Sequence, residues 1–253
     1  MIDMQDKTVV ITGGTRGMGL SIAEAFSRAG AAVFVGARNS SSEFIDRIPD
    51  AVFVKTDVRI YSDMTALVDR AVESEGKLDI MINNAGVSIW RSLGKANEAF
   101  WHQIIDTNLK GCFWGCKAAA PKMKTGGVII NMASLAGKRG SKNNSVYCAS
   151  KFGVVGLTQA LAKELGPKGI RVNSICPVYV KTSELLNNLG GEHPEIGQRA
   201  PEVFLEEFGR KNAALERIPT KNEVASVCLF LASDMASAIT GQNVNVDCGV
   251  MPQ

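Results

Sequence analysis

Tyr147 and Lys151 lie four residues apart in a stretch with helical periodicity, and Ser134 precedes the tyrosine by thirteen residues. Residues four apart stand one turn apart on the same face of a helix. A free phenol has a pKa of about 10, and a neighbouring ammonium favours the phenolate and lowers that value. The pair therefore indicates a phenol adapted to proton transfer, although a Tyr-x-x-x-Lys spacing alone also occurs by chance on exposed helices.

A glycine-rich turn joins a β-branched run at 7–12 to a stretch of helical periodicity. Glycines permit close backbone approach, and the N-terminus of the following helix attracts phosphate through its free N–H groups. The context predicts a dinucleotide site, with a purely structural turn as the alternative. The turn residues that we assign to cofactor binding are Gly13, Thr15, Arg16, Gly17, Met18 and Gly19.

The choice between NAD and NADP depends on the end of the second predicted strand, 32–37. In dinucleotide folds an acidic residue here binds the ribose 2′-hydroxyl of NAD. This chain instead has Ala37 followed by Arg38, with Arg16 in the glycine turn. Guanidinium groups suit a 2′-phosphate, so the sequence predicts NADP(H). NAD(H) is the alternative if both arginines are solvated surface residues.

Strands and helices alternate regularly, without a linker or an internal repeat. Strands are predicted at 7–12, 32–37, 51–55, 78–82, 128–132 and 170–175, and long helices at 61–76, 98–123 and 146–166. This pattern specifies one domain, 1–253, with a parallel sheet covered by helices on both faces. Ligands bind at the carboxyl ends of such strands, where the glycine turn, Arg38, Asp57, Ser134 and Pro177 would converge.

Composition excludes several other classes of protein. The 253 residues are 45% hydrophobic and 21% charged with a net charge of +3, and contain no basic run for nucleic acid. No apolar run approaches the roughly 20 residues that span a bilayer, and the N-terminus lacks a signal pattern. Six cysteines without a C-x-x-C pair and only two histidines predict reduced thiols, no metal and a cytoplasmic protein.

Together the motifs resemble those of the classical short-chain dehydrogenase/reductase family over essentially the whole chain. The matching pieces are Thr12-Gly13-x-x-x-Gly17-x-Gly19, Asn83-Asn84-Ala85-Gly86, Asn108, Ser134, Tyr147-x-x-x-Lys151 and Ile239-Thr240-Gly241-Gln242. The resemblance implies an α/β, three-layer doubly wound Rossmann fold with a seven-stranded parallel sheet, the last strand at about 243–246. It also implies hydride transfer between a nicotinamide cofactor and a carbonyl or secondary alcohol.

The resemblance also implies roles for individual residues. Tyr147 would exchange a proton with the substrate oxygen, while Lys151 would lower the tyrosine pKa and bind the nicotinamide ribose. Ser134 would orient the substrate, and Asn108 would hold a water that relays protons from Lys151. The further cofactor contacts are Asp57 and Val58 at the adenine, Asn84, Ala85 and Gly86 at the adenosine ribose, and Pro177, Val180 and Thr182 near the nicotinamide.

Two positions depart from the family pattern. Val178 stands where the family usually has glycine after the proline, and Cys248 stands where Asp-Gly-Gly is usual. A β-branched residue narrows the backbone choices, so Val178 puts the shape of the nicotinamide loop in question. Neither position touches the catalytic residues.

The substrate side is the least specified part of the sequence. The segment 183–220 predicts two short amphipathic helices, which act as a lid over substrate or simply pack onto the domain. Pocket candidates are Ser88, Trp90, Leu135, Asn144 and Tyr179, of which the two large aromatics are alternatively ordinary packing residues. By analogy we expect a small-molecule substrate and a homo-oligomer, a dimer or tetramer. A cofactor-binding sensor without chemistry is the remaining alternative.

Overall fold

The computed structural model describes residues 2–190 and 192–252, so Met1, Gly191 and Gln253 lie outside the description. Parallel strands form a seven-stranded sheet in the order β3-β2-β1-β4-β5-β6-β7. The strands are β1 Thr8–Thr12, β2 Ala32–Ala37, β3 Val52–Lys55, β4 Leu78–Asn83, β5 Met123–Met132, β6 Arg171–Pro177 and β7 Asn243–Val246. The predicted doubly wound fold with seven parallel strands is confirmed.

Helices cover both faces of the sheet. They are α1 Gly17–Arg28, α2 Ser42–Arg47, α3 Tyr61–Glu75, α4 Glu98–Ile105, α5 Gly111–Ala119, α6 Ser145–Leu165, α7 Ser183–Leu189, α8 Pro201–Asn212 and α9 Lys221–Ala232. One core lies between the sheet and α1 and α9, and a second lies between the sheet and α3, α5 and α6. Because both faces of the central strands are buried, these strands are apolar along their length.

The predicted helical stretch over 98–123 is confirmed as helical from Glu98 to Lys122, but it is not one regular α-helix. The segment contains α4, a π-helical turn Asp106–Lys110, α5 and a 3₁₀ turn Ala120–Lys122, after which β5 begins at Met123 rather than at 128. Pro121 has no N–H to continue the α-helical ladder, which explains the end of α5. The π turn contains Asn108, whose side chain binds the backbone of Val87. Such widened turns occur often at functional sites.

Helix α6 is attached to the sheet by buried polar side chains. Asn131 on β5 donates from Nδ2 to Thr158 Oγ1 at 3.0 Å, and Asn83 Nδ2 donates to Asn131 Oδ1 at 2.9 Å. Because Asn131 and Thr158 are fully buried, losing one partner would leave the other without water to replace it. These bonds fix the rotation of α6, and with it the directions of Tyr147 and Lys151.

The segment 183–220, described except for Gly191, contains the two predicted short helices, α7 and α8. It packs through its own apolar cluster of Leu189, Ile196, Phe204 and Leu205 around Trp90. Polar contacts also join it to the loop after β4, since Asn188 Nδ2 donates to Ser88 O at 2.9 Å. No helix within residues 2–190 and 192–252 is long and apolar enough to cross a membrane.

Candidate active site

A cleft with a volume of about 910 Å³ runs along the carboxyl ends of the strands. Every residue predicted to bind cofactor or substrate lines it except Pro177, and so does the catalytic candidate Ser134. The catalytic candidate Asn108 lies behind the cleft wall. The topology explains this convergence, because the carboxyl ends of parallel strands share one edge.

The glycine turn is shaped for the close approach of another molecule's backbone or phosphates. Gly13 and Gly17 have φ values of 67° and 58°, a region that glycine enters without the steric cost of a Cβ. Asn84 Nδ2 braces the turn by donating to Thr12 O at 2.9 Å and Gly13 O at 3.1 Å. Asn84 therefore contributes to the cleft by holding the turn as well as by lining it.

The two arginines predicted to select NADP have different partners. Arg16 Nε lies 2.5 Å from Glu184 Oε1 on α7. A Cβ at Gly17 would lie 3.2 Å from Glu184 Oε2, so this carboxylate sits at the N-terminus of α1. Arg38 is exposed at the cleft, and no carboxylate among the described residues forms an ion pair with it. Asp57, the predicted adenine contact, is paired with Arg59.

Tyr147 lies beside two serine hydroxyls at the edge of the cleft. Burial raises the pKa of Tyr147, and hydrogen bonds to the Ser134 and Ser88 hydroxyls oppose that rise. Ser134 is thus placed as the sequence predicts, while Ser88 proves to be a neighbour of the phenol itself. The expected lowering of the tyrosine pKa by Lys151 is not observed, because desolvation is the largest influence on the phenol.

Lys151 is 5% exposed, and its Nζ donates to Met132 O at 2.7 Å. The ammonium lies 5.7 Å from the centre of the Tyr147 ring. Burial lowers the pKa of Lys151 to about 8, with the nearby Cys112 and Cys176 thiols opposing the shift. The same desolvation therefore disfavours both the phenolate and the ammonium.

Asn108 and Pro177 support the site from behind. Asn108 Oδ1 accepts from Val87 N at 2.8 Å, and its Nδ2 donates to Val87 O at 2.9 Å and Ser150 Oγ at 3.2 Å. Pro177 O accepts from Ser134 Oγ at 3.4 Å. Asn108 thus fixes the loop that leads to Ser88, and its predicted relay water stays a prediction.

The residues predicted to contact substrate form an aromatic wall on one side of the cleft, with polar side chains next to it. Tyr179 and Trp90 have ring centroids 6.3 Å apart, and Tyr179 Oη lies 2.8 Å from His193 Nε2. Burial lowers the pKa of His193 and raises that of Tyr179. Both predicted aromatics therefore serve as packing residues and as cleft lining. Leu135 and Asn144 are buried at the base of the cleft.

Comparison with known proteins decides the family. A family model described as enoyl-(acyl carrier protein) reductase, of the short-chain dehydrogenase type, matches residues 13–251. This chain belongs to the short-chain dehydrogenase/reductase family. It is therefore an oxidoreductase of a family that uses the nicotinamide cofactors NAD(P)(H).

Relatives within the short-chain dehydrogenase/reductase family match along nearly the whole chain. Trans-4-hydroxycyclohexanecarboxylate dehydrogenase of Sinomonas cyclohexanicum is 38% identical, over 96% of this chain and 92% of its own length. The 3-oxoacyl-[acyl-carrier-protein] reductase of Chlamydia muridarum is 34% identical, over 97% of each chain. The crystal structure of levodione reductase superposes with a TM-score of 0.87 at 31% identity, over 97% of each chain.

The cleft fits the nicotinamide dinucleotide that the family implies. A side chain at Gly19 would collide with the Gly13 carbonyl and the Asn84 amide, so the turn tolerates only glycine there. The first turn of α1 itself contains no acidic residue, and the carboxylate that sits there, Glu184, belongs to α7. A cofactor phosphate would take the place of this carboxylate at the positive end of the helix dipole. Within the described residues, no group of three or more His, Cys, Asp or Glu is placed to hold a metal ion.

Sequence reasoning missed several cleft residues. Glu184 and Asn188 belong to the 183–220 segment and reach the cleft only through its folding, so no local motif marks them. Ser41 has a local signal, because it follows β2 in a run of polar residues and caps α2, a helix we did not predict. Its Oγ also donates to Thr15 O at 2.7 Å. Arg139 and Ser141 likewise line the cleft.

The two departures from the family pattern have different outcomes. Cys248 has a φ of 55°, in the left-handed region where a residue with a Cβ carries a cost of roughly 1–2 kcal/mol. Val178 lines the cleft, and its N–H donates to Val246 O at 3.4 Å. Cys248 therefore keeps the backbone conformation that favours glycine.

We expect Glu184→Gln to tighten cofactor binding. The substitution removes a negative charge from the N-terminus of α1 and releases Arg16. A charge at a helix terminus contributes about 0.3–1 kcal/mol, so the dissociation constant for the nucleotide should fall by roughly 2–5-fold. Fluorescence titration of the reduced nucleotide measures this. Glu206→Gln, at an exposed carboxylate of α8, is the control. Unchanged affinity in Glu184→Gln would show that this carboxylate does not compete with the cofactor.

We expect Lys151→Met to stabilise the cofactor-free protein in a pH-dependent way. The lysine pKa is about 8 in the folded chain and about 10.4 when unfolded, so the unfolded chain binds more protons between these values. The free energy of unfolding of the wild-type protein therefore rises with pH through this range. Below pH 8 the full free-energy cost of the buried ammonium is present. Near pH 7 the variant should gain on the order of 1–3 kcal/mol after the lost hydrogen bond is counted.

Urea unfolding between pH 6.5 and 9.5 measures the gain, which should shrink as pH rises. Lys163→Met, at an exposed position of the same helix, should show no such trend. A gain for Lys151→Met that stays constant with pH would contradict the assignment of a buried, charged lysine.

Proposed function

We propose that this protein is an NADP(H)-dependent oxidoreductase that interconverts a carbonyl and a secondary alcohol, with Tyr147 as the general acid and base. The observation that carries the proposal is the placement of the Tyr147 phenol. It lies at the cleft edge beside the Ser134 and Ser88 hydroxyls, with the Lys151 ammonium 5.7 Å from its ring.

In the proposed reaction Tyr147 supplies the proton, and three other residues of the chain act on it or on the substrate oxygen. In reduction, the Tyr147 hydroxyl donates its proton to the substrate oxygen as a positioned general acid, while the Ser134 hydroxyl donates a hydrogen bond to the same oxygen. The Lys151 ammonium favours the phenolate that remains, and Asn108 stands behind it on the proposed route to solvent. When bound, the nicotinamide supplies the hydride in this direction and accepts it in the reverse direction.

The basic end of the cleft supports NADP(H). Arg38 follows β2 and faces the cleft beside Ser41, and its charge helps to lower the pKa of Asp57. A guanidinium there suits a 2′-phosphate. NAD(H) is the alternative, and the ion pair of Arg16 with Glu184 favours it, since that pair removes one of the two expected phosphate ligands.

The remaining assignments are part of the same proposal. The chain acts as one catalytic domain, in which 183–220 is a lid that packs against Trp90 and excludes water from a small-molecule substrate. Exposed aromatics on α4, α5 and α6, namely Trp101, Phe113 and Phe152, suit pairing into a dimer or tetramer. Six unpaired cysteines suit a reducing cytoplasm.

Tyr147→Phe should abolish the chemistry while leaving the cofactor bound. The substitution removes the transferred proton and keeps the ring, so turnover should fall by roughly 10²–10⁴-fold. The dissociation constant for the nucleotide, measured by fluorescence titration, should change little. The control is Tyr61→Phe, at a partly exposed phenol on α3. Turnover that survives in Tyr147→Phe would reject Tyr147 as the acid. The assay is a panel of ketones and secondary alcohols followed by nucleotide absorbance.

Arg38→Gln should weaken NADPH binding and leave NADH binding unchanged. A charge-assisted hydrogen bond to a phosphate contributes about 1.5–3 kcal/mol, which is roughly 10–100-fold in the dissociation constant. Arg70→Gln, at an exposed arginine on α3, is the matched control. Equal affinity of the wild-type protein for NADPH and NADH would instead support the NAD(H) alternative.

A further inference from the structure

His193 supports the aromatic wall of Trp90 and Tyr179 and contacts three separate parts of the chain. Its Nε2 lies 2.8 Å from Tyr179 Oη, in the loop after β6. Its ring centroid lies 4.7 Å from that of Trp90, in the loop after β4, and 4.8 Å from that of Phe204, on α8. The imidazole is 6% exposed and does not line the cleft, whereas Trp90 and Tyr179 do. One buried side chain therefore contacts both rings of the wall from behind.

The hydrogen bonds of His193 determine which of its nitrogens holds the proton. The backbone N–H of Glu195 donates to Nδ1 at 3.3 Å, so Nδ1 is an unprotonated acceptor. A neutral imidazole has a single N–H, which then belongs to Nε2 and donates to Tyr179 Oη. Tyr179 is thus held by a neutral imidazole in one tautomer.

Protonation of His193 is incompatible with these contacts. The second proton would go to Nδ1, where it would face the Glu195 N–H and break that hydrogen bond. It would also place a charge on a buried ring that packs against Trp90 and Phe204, which offer no acceptor for a new N–H. Protonation would therefore weaken the contact between the segment 183–220 and the wall.

The charges nearest to His193 belong to its own segment and act in opposite directions. The Glu195 carboxylate favours the charged imidazole and the Arg199 guanidinium disfavours it, both from exposed positions. Burial is the largest influence, and it lowers the pKa of His193 below its ordinary value of about 6.5.

The other elements packed against His193 present groups that are neutral or already paired. Burial raises the pKa of Tyr179, so its phenol stays neutral wherever the imidazole titrates. Glu192, the neighbour of His193 in the chain, pairs with Lys95 and accepts from Ser92 N in the loop after β4. On α8, Glu207 pairs with Arg199.

We propose that neutral His193 is a positioning residue for the substrate, which holds Tyr179 and Trp90 in place and releases them when it is protonated. This inference rests on the proposed function, since the substrate would lie against this wall. Substrate then binds preferentially to protein with a neutral His193, so substrate and proton compete. As pH falls below the pKa of His193, KM should rise while kcat at saturating substrate stays constant.

The catalytic residues keep their protonation in the acidic range. The pKa of Lys151 is about 8, and burial raises that of Tyr147, so both groups stay protonated below pH 7. The chain has one other histidine, His102, which is exposed on α4. Substitution of each histidine in turn therefore separates their contributions to a pH effect.

NMR of the imidazole tests the contact without any turnover. His102→Gln leaves His193 as the sole histidine, and two-bond 1H–15N correlation spectra distinguish its two neutral tautomers. We expect the Nε2–H tautomer at pH 7.5, and a pKa for His193 below that of His102, which is measured in His193→Gln. The Nδ1–H tautomer, or a His193 that titrates together with His102, would overturn the proposal.

Kinetics test the positioning role. With saturating nucleotide and an uncharged ketone, 4-methylcyclohexanone as first choice, KM should rise by roughly 2–10-fold from pH 7.5 to pH 5.5 with little change in kcat. His193→Gln keeps a neutral N–H donor near the position of Nε2, so it should retain the KM of pH 7.5 and lose the rise. His193→Phe keeps a ring without the donor and should raise KM at every pH. His102→Gln is the matched control and should behave like the wild-type protein.

The outcomes separate this inference from the proposed function. A rise in KM that persists in His193→Gln, or a wild-type KM in His193→Phe, would overturn the positioning role and leave carbonyl reduction intact. Absence of turnover across the panel of ketones and secondary alcohols would instead reject the proposed function, and the NMR tautomer and titration decide the His193 contact independently.

Discussion

The close packing of α6 against the end of β5 is the constraint on which the site depends. A Cβ at Gly137 would lie 2.6 Å from Lys151 O, so the chain after β5 passes the helix at a distance that only glycine allows. Lys151 Nζ donates to Met132 O at 2.7 Å in the same contact. Farther along, Asn131 and Thr158 join strand and helix at 3.0 Å. Any slide of α6 would break bonds that water cannot replace.

Burial at this contact gives the site its electrostatic character. Desolvation raises the pKa of Tyr147 and lowers that of Lys151, so burial shifts both groups toward their neutral forms. A phenolate and an ammonium formed together would stabilise one another, because each is the counter-charge that the other lacks. The two serine hydroxyls beside the phenol add hydrogen bonds that favour its charged form. A proton can therefore leave Tyr147 only when partners at the site compensate the new charge.

Most of the fold could be predicted from the sequence because its signals are local. The strands are apolar runs, the glycine turn stands between strand and helix, and Tyr147 and Lys151 share a helix face. The π turn at Asn108 has no local signal in the sequence, and the Asn108 side chain bonds to the backbone of Val87, 21 residues away. The start of β5 at Met123 was missed because helical periodicity continues up to Pro121.

Most residues of the cleft could be predicted from the sequence, but the side chains that they contact there could not. The rule that ligands bind at strand ends brought Arg16, Ser134 and Tyr147 to one edge. Glu184 becomes the partner of Arg16 only when the segment 183–220 folds over the cleft. The same segment holds the loop that places Ser88 beside Tyr147. No periodicity or motif spacing in the sequence marks contacts between residues that lie so far apart in the chain.

Helix α7 connects the two halves of the cleft. Near its start, Glu184 pairs with Arg16 at the glycine turn, and near its end Asn188 donates to Ser88 O at 2.9 Å. Ser88 in turn places its hydroxyl beside Tyr147. An anion that displaces Glu184 therefore acts on the same short helix that holds the loop beside the phenol. A phosphate at the glycine turn and the loop beside Tyr147 would therefore contact the same helix, α7.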